Sequence, residues 1–469
     1  MNSPNLRLHT PRLIVSGASS GVGKTTIATA IMYLLIKRGL KVQPFKVGPD
    51  FIDPSYHSVV TGRKSYNLDV WMMGTKGVVE CFRKATFDAD VAVIEGVMGL
   101  FDGVSGKNDL GSTAHVAKIL DATVLLVLDA GKASGSIAAL AYGFLNFDRQ
   151  IKISGIILNN IASNKHFNAI REAFSNKVKI PIIGAVNRNN NISLTERHLG
   201  LVPVAELKNE TKNTILTSSR FISKKIKLNI INNLPRKTMD QTLRRRVHHH
   251  HHHPKAEVKI AIAMDESFNF YYADNFDELE RNKAKLIHFS PVNDKMLPED
   301  VSGIILGGGF PEILADKLEK NYSMKNSILK AAEDGMPIYA ECGGLMYLTK
   351  TIITNEGNKN KKRKMIGLID ADTFMNGRLT LNYTEAINSG PFFSNIRKIR
   401  GHEFHYSVVV NIARDSKFAY NLKRGKGIHN KKDGLFLYNS LASYMHLHLG
   451  SDDKLPKGIV ENCIHFSKT

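Results

Sequence analysis

The sequence predicts an α/β protein of two domains, and three observations carry that prediction. Short apolar runs alternate with amphipathic stretches across residues 11–206, the pattern of a parallel sheet flanked by helices. From Leu207 to Pro254 the apolar residues lose their period and Asn, Lys, Thr and Ser dominate. A second alternating region fills residues 255–452. The expected organisation is a first domain at 11–206, a linker at 207–254 and a second domain at 255–452. With 469 residues, 43% of them hydrophobic and 23% charged, the chain is long enough for two or three ordinary cores.

Taken in order, Leu13-Ile14-Val15 reads as a buried strand. Thr25–Lys37 reads as a helix with Ile27, Ala30, Ile31 and Leu34 on its apolar face. Further strands are expected at Val42–Val47, Val91–Ile94, Val124–Leu128 and Ile153–Leu158. The linker ends in Arg244-Arg245-Arg246-Val247 and the run His248–His253. Histidine runs can chelate metal, but this one has no carboxylate or cysteine companions and no helical spacing. It reads as a low-complexity or introduced linker. The second domain opens with the β-branched strand Val258–Ala263, and Gly303–Leu306 runs into Gly307-Gly308-Gly309-Phe310-Pro311-Glu312. Pro337–Ala340 leads to Glu341 and Cys342, and Leu435–Tyr438 and Ala442–His448 close the domain.

Composition narrows the functional classes. No apolar run approaches the roughly 20 residues that span a bilayer. The N-terminus lacks the basic-then-apolar build of a signal peptide. Three scattered cysteines, Cys81, Cys342 and Cys463, are too few for a disulfide frame and point to the cytoplasm. The 64 basic and 43 acidic residues leave a charge of +21. A nucleic acid or a polyanionic small substrate would each use such a field. Much of the excess, however, clusters at Lys359–Lys364, Arg244–Arg246 and Lys431-Lys432, where motifs are absent and a solvated surface suffices.

Two motifs carry chemistry. Gly17-Ala18-Ser19-Ser20-Gly21-Val22-Gly23-Lys24-Thr25-Thr26 follows a strand and opens a helix, the context that makes a phosphate-binding loop credible. Gly21 and Gly23 let backbone N–H groups turn toward phosphate oxygens, and the helix start adds positive potential. Lys24 would neutralise the β- and γ-phosphates of ATP, the Thr25 hydroxyl would hold Mg²⁺, and Thr26 completes the expected nucleotide set. Acidic residues follow at strand ends: Asp50 and Asp53 in Lys46-Val47-Gly48-Pro49-Asp50-Phe51-Ile52-Asp53-Pro54, and Glu95 and Asp102 in Glu95–Gly103. Mg²⁺ prefers a few carboxylates with phosphate oxygens and water, so Glu95 and Asp50 or Asp53 are natural ligands, with Asp53 preferred. A single Asp in a turn is more often a hydrogen-bonding cap, but these stand beside a phosphate loop. The second motif is Tyr339-Ala340-Glu341-Cys342-Gly343-Gly344-Leu345, a cysteine at a strand-to-helix turn. A lone buried cysteine is ordinarily inert core. Here an apparent nucleophile shares a chain with an apparent ATP site, and ATP-driven amide formation with nitrogen from glutamine needs both.

The phosphate loop has five residues, rather than four, between Gly17 and Gly23, and in this it resembles dethiobiotin synthetase and its relatives. Gly-Pro-Asp-Phe-Ile-Asp-Pro (48–54), Asn-Leu-Asp (67–69) and Glu-Gly-Val-Met-Gly-Leu-Phe-Asp-Gly (95–103) resemble the cobyrinic acid a,c-diamide synthase family. So do Arg-His-Leu-Gly-Leu (197–201), Gly-His-Glu-Phe-His-Tyr-Ser (401–407) and His-Leu-His (446–448). The likeness spans nearly the whole chain apart from the linker and a Lys-rich insert near 356–364. It implies that the first domain phosphorylates a carboxylate of a corrin ring and that ammonia then displaces phosphate. By the same resemblance Asp50, Asp53, Glu95 and Asp102 line the metal and substrate region, and Lys46 meets a phosphoryl group or substrate carboxylate. Asn159 resembles an adenine-reading asparagine, with a plain turn residue as the alternative.

The second domain resembles a flavodoxin-like class I glutamine amidotransferase. There Cys342 would be activated by His446 and a helix N-terminus, both lowering its pKa, with Gly308 and Gly309 as oxyanion donors. One departure stands out. The superfamily's His-Pro-Glu is here His446-Leu447-His448, so no Glu two residues on orients the imidazole. The partners implied are cobyrinate or a related tetrapyrrole and glutamine, with a homodimer as the expected assembly and neither nucleic acid nor membrane. Nickel sirohydrochlorin is the rival ring. A nucleic-acid-directed P-loop ATPase is the rival of another class. It would show steep salt-dependent DNA affinity and would leave Cys342 and His446 idle.

Overall fold

Arg12–Gly17 (β1) is the middle strand of a seven-stranded sheet in the computed structural model, which explains its unbroken apolar run: both faces are covered. The structure describes residues 8–175, 177–188, 196–197, 200–201, 209–228, 256–357 and 359–469. Two compact units divide at His249 and His250. In the first, Val42–Val47 (β2), Tyr66–Leu68 (β3), Val91–Glu95 (β4), Thr123–Asp129 (β5), Ile153–Ile161 (β6) and Ile182–Asn187 (β7) join β1 in the order β3-β2-β4-β1-β5-β6-β7. Every neighbouring pair is parallel. Lys24–Lys37 (α1), Asp53–Thr61 (α2), Val70–Ala85 (α3), Thr113–Leu120 (α4), Ser136–Phe147 (α5) and Asn164–Ser175 (α6) are its helices. The chain leaves β1 for β2 on one side and later reaches β5 on the other, so the loop after β1 opens at a topological switch point. The register pairs Glu95 with both Val15 and Lys46 and so gathers three strand ends at that point.

Local details differ from the sequence expectation in instructive ways. On α1, Ile27, Ala30 and Ile31 are buried as expected, but Leu35 rather than Leu34 completes the buried face. Residues 207–254 are not all linker. Asn209–Ser223 (α7) packs on α1 and α2. Ile215, Ile222, Ile226 and Leu228 join the first unit's core, and Arg38 reaches the Leu228 carbonyl at 3.5 Å. The buried face of α7 is Ile215, Ser218, Ser219, Ile222 and Ser223, a helical i, i+3, i+4, i+7, i+8 set. Serine fills three of those five places, which hid the period. Burial against the sheet-bound helices overrides the weak helix propensity of Asn, Thr and Ser. Glu196–Arg197 (β8) and Gly200–Leu201 (β9) form a small antiparallel pair. Residues 198–199 of the Arg-His-Leu-Gly-Leu motif, Arg244–Arg246 and His248–His253 lie outside the described residues.

In the second unit Val258–Ala263 (β10), Ala284–Phe289 (β11), Ile304–Leu306 (β12) and Ile338–Glu341 (β13) form a parallel core, which Ser440–Ser443 extends. Between β13 and that strand the chain adds Thr349–Glu356 (β14), Lys359–Lys364 (β15), Ile369–Asn388 (β16), Lys398–Val410 (β17), Lys417–Arg424 (β18) and Lys432–Leu437 (β19). Ser440–Ser443 is therefore β20, and Met445–Leu447 is β21. The parallel strands run β11-β10-β12-β13-β20, the 2-1-3-4-5 order of flavodoxin-like folds. Beyond β20 the sheet turns largely antiparallel through β19, β18 and β16, while β17 pairs with β16 and β21. Ala273–Arg281 (α8), Ala315–Lys320 (α9), Tyr322–Glu333 (α10), Gly343–Leu348 (α11) and Lys454–Phe466 (α12) complete the unit. The expected end at residue 452 falls short: Leu455, Ile459, Val460 and Cys463 of α12 belong to this core. The Lys-rich insert is β15, an edge strand. Its Arg363 is buried and donates to Asp316 at 2.8 Å, while lysines line the rest of the edge, where they discourage strand addition.

Candidate active sites

The first site is built around the loop after β1. Gly21 and Gly23 adopt φ of 76° and 92°, which a β-carbon would oppose. At Gly23 that carbon would also stand 2.3 Å from the Asn159 side-chain nitrogen. Lys24 folds over the loop, and its Nζ donates to the Ser19 carbonyl at 2.8 Å. Burial, then the nearby charge of Lys46, pull its pKa down to about 8. Phosphate oxygens beside Lys24 would favour its charged form. Thr25 Oγ1 donates to Glu95 Oε1 at 2.7 Å, and the half-buried Thr26 follows in the first turn of α1. The loop 95–103 is tied to the phosphate loop by Leu100 N donating to the Gly17 carbonyl at 2.9 Å.

Lys46, Asp53, Glu95 and His57 form one buried network. Lys46 Nζ lies 2.5 Å from Asp53 Oδ2 and 2.9 Å from Glu95 Oε1, and it also donates to the Gly96 carbonyl at 3.2 Å. Glu95 Oε2 faces His57 Nε2 at 2.6 Å, and His57 Nδ1 meets Ser65 Oγ at 3.0 Å. Burial works against charge on Glu95, but Lys46 and His57 outweigh it and hold the carboxyl well below its usual range. Burial and the charges of Asp50 and Glu95 push Asp53 well above its own. Burial also opposes charge on Lys46, yet Asp53 and Glu95 together raise its pKa. One ammonium is shared by two carboxylates, Glu95 fully buried and Asp53 partly so. Sequence reasoning missed His57. Its only signal was proximity to the Asp53-Pro54 start of α2, whose first turns aim it at Glu95.

The remaining predicted residues take distinct places. Asp50 Oδ1 accepts from Ile52 N at 2.8 Å and Asp53 N at 3.0 Å, so this carboxylate shapes the turn that presents Asp53. Asp102 Oδ2 accepts from Gly99 N at 2.8 Å within the neighbouring loop. Asn159, expected to read a base, donates its amide to the Val22 carbonyl at 3.0 Å and braces the phosphate loop against β6. Thr25, Asp53 and Glu95 offer only oxygen donors around the Lys46 ammonium, a set that suits a hard dication. Among the described residues no group of three His, Cys, Asp or Glu stands together as a metal site.

The second site centres on Cys342, which joins β13 to α11 with φ 47° and ψ −95°. A non-glycine residue there costs about 1–3 kcal/mol, and the surrounding bonds hold it. Cys342 N donates to the Ser443 carbonyl at 2.7 Å, and Gly344 N to the Gly307 carbonyl at 3.0 Å. A β-carbon at Gly344 would fall 2.2 Å from the Leu306 carbonyl oxygen, so only glycine lets α11 pack this close. Cys342 lines a cavity with Gly309, Phe310, Glu312, Phe404 and Tyr406. Gly308 faces the His446 ring: a β-carbon there would meet Cε1 at 2.5 Å. Thus Gly309 lines the thiol cavity while its neighbour makes room for the imidazole.

The expected lowering of the thiol pKa is reversed. Burial, then the charges of Glu312 and Glu341, push Cys342 up. Its Sγ points at the Phe404 carbonyl at 3.4 Å, and α11 has only six residues, too little dipole to offset burial. Burial therefore favours the neutral thiol, and attack on an amide calls for a base. His446 is paired with His402 across β21 and β17, and their rings stack at 4.8 Å with 7° between planes. Tyr272 Oη lies 2.6 Å from His402 Nε2. His446 Nδ1 lies 3.3 Å from Glu341 Oε2, an acidic neighbour that sequence reasoning did not assign. His448 instead packs against Tyr272 at 4.9 Å with Asp274 Oδ2 3.9 Å away, and burial holds its pKa down to about 4.

Comparison with known proteins agrees with this division. Residues 13–202 match the CobQ/CobB/MinD/ParA nucleotide binding domain, and residues 259–454 match the CobB/CobQ-like glutamine amidotransferase domain. A protein of Methanosarcina barkeri named cobyrinate a,c-diamide synthase is 39% identical over 477 residues, covering 97% of this chain and 96% of its own. Its namesake in Dehalococcoides mccartyi is 40% identical over 457 residues, covering 96% and 97%. That of Methanothermobacter thermautotrophicus is 40% identical over 464 residues, covering 97% and 100%. With relatives this similar along nearly its whole length, the chain belongs to the cobyrinate a,c-diamide synthase family.

Proposed function

We propose that this chain is an Mg²⁺- and ATP-dependent, glutamine-hydrolysing ligase that amidates the a and c acetate side chains of cobyrinate. The observation that carries the reading is the strained Cys342 elbow, preceded by Glu341 whose Oε2 faces His446 Nδ1 at 3.3 Å, in a chain whose other unit holds Lys24 and Thr25 on a phosphate loop. In the second unit His446 takes the Cys342 proton as sulfur attacks the glutamine amide carbon, and it returns that proton to the departing ammonia. Backbone N–H groups around Gly308 and Gly309 receive the developing oxyanion. Water then hydrolyses the γ-glutamyl thioester to glutamate. In the first unit Lys24 steadies the β,γ-phosphate charge while a ring carboxylate takes the γ-phosphoryl group. Ammonia attacks the acyl phosphate and expels phosphate. Thr25, Asp53 and Glu95 would hold Mg²⁺, which supplies charge neutralisation to the phosphates when bound.

The cytoplasm is the proposed location. All three cysteines are free and buried, as suits a reducing compartment, and no helix among the described residues is long and apolar enough to cross a membrane.

The test is mass spectrometry of the products formed from cobyrinate, glutamine, ATP and Mg²⁺, in parallel with nickel sirohydrochlorin. A diamide of cobyrinate is the expected product. A diamide of the nickel ring alone would keep the chemistry and overturn the substrate. Glu95→Gln keeps the shape but removes the charge shared by Thr25, Lys46 and His57. Ammonia-dependent amidation should fall about 100-fold or more and need more Mg²⁺, with glutamine hydrolysis retained. An unchanged Mg²⁺ titration would remove Glu95 from the metal site.

A further inference from the structure

We infer that Glu341, the residue immediately before the nucleophile, is the positioning carboxylate for His446. It replaces the acid that the sequence lacks two residues beyond that histidine. The inference rests on the reading that Cys342 hydrolyses glutamine. Glu341 ends β13, is 6% exposed, and its side chain is held from several directions. Oε1 accepts from Tyr339 Oη at 2.6 Å and from Leu447 N at 2.8 Å, while Oε2 faces His446 Nδ1 at 3.3 Å. The carboxylate thus holds the backbone of the residue after His446, fixing β21 against β13, while its other oxygen faces the ring. Ser443 Oγ, donating to the Met445 carbonyl at 2.8 Å, sets the turn that brings β21 there. The stacked His402 ring limits how far His446 can tip.

A distance of 3.3 Å is long for a charge-assisted bond, and such bonds commonly tighten once substrate is bound. The proton count follows from the tautomer that a carboxylate facing Nδ1 favours. In the tautomer with its proton on Nδ1, toward Glu341, Nε2 carries a lone pair and is the atom that would take the thiol proton. The resulting imidazolium then stands beside a buried anion. When the proton passes to the leaving ammonia, the neutral tautomer returns.

Glu341→Gln separates this role from a purely structural one. The glutamine Oε1 can still accept from Tyr339 and Leu447, but the amide offers Nδ1 an N–H and favours the tautomer with its proton on Nε2. The kcat for glutamine hydrolysis should fall about 100- to 10,000-fold with KM changed little. Ammonia-dependent amidation should match wild type and so report an intact fold. A Gln variant within about threefold of wild type in kcat, or one altered mainly in KM, would overturn the inference. If the Gln variant proves misfolded, Glu341→Asp decides: partial glutaminase activity supports a charged partner, and none refutes it. Absence of glutamine hydrolysis in the wild-type chain would instead refute the reading of Cys342 itself.

Discussion

Cys342→Ala is expected to abolish glutamine-dependent diamide formation completely, and a high concentration of ammonium salt at alkaline pH should restore it. The loss is total because the other two cysteines, Cys81 and Cys463, are buried elsewhere and cannot form the γ-glutamyl thioester at this turn. The rescue follows from separate chemistry: the phosphate loop and its carboxylates lie in the first unit, and free NH₃ replaces what the thiol releases. Alanine keeps the β-carbon, so the backbone at φ 47° is no more strained than before. Circular dichroism and melting should therefore resemble wild type. His446→Ala should follow the same pattern with a small residue of glutaminase activity. That residue shrinks further because burial holds the thiol neutral in the absence of a base. His448→Ala should be milder, since its ring packs on Tyr272. A well-folded Cys342→Ala protein that ammonia fails to rescue would end the two-site mechanism.

Lys24→Ala carries the second large effect, in the opposite half of the chemistry. Its ammonium is the charge nearest the loop, held by the Ser19 carbonyl 2.8 Å away, and phosphoryl transfer depends on such charge at the β,γ-phosphates. Amidation should drop by about 1,000-fold or more with glutamine or ammonia as nitrogen source. Glutamine hydrolysis should survive at least in part. Assaying both activities on one preparation distinguishes a lost ATP site from a lost fold. Amidation at the normal rate would show that the loop is not the ATP site.

What could be read from the sequence was what short-range pattern encodes. The strands of the parallel cores, the glycines flanking Lys24 and the cysteine on its turn each depend on neighbours in the chain. Residues whose partners arrive only on folding were hidden. His57 becomes part of the first site because α2 carries it to Glu95, and Glu341 becomes part of the second because β21 brings His446 alongside. The largely antiparallel extension through β14–β19 gave no fold-level signal between two parallel strands. The sign of the Cys342 shift was misjudged because burial is a tertiary quantity, and here it exceeds what a six-residue helix offers.

The placement of α7 also bears on the order in which the first unit matures. Its sheet is complete at Asn187, yet the covering residues Ile215, Ile222, Ile226 and Leu228 are synthesised later. At about 5–20 residues per second, a nascent chain waits about 2–8 s between adding Asn187 and adding Leu228. During that interval the apolar groups that meet α7 on α1 lack their cover, which makes this the stage at which the emerging chain is most open to self-association or to a chaperone.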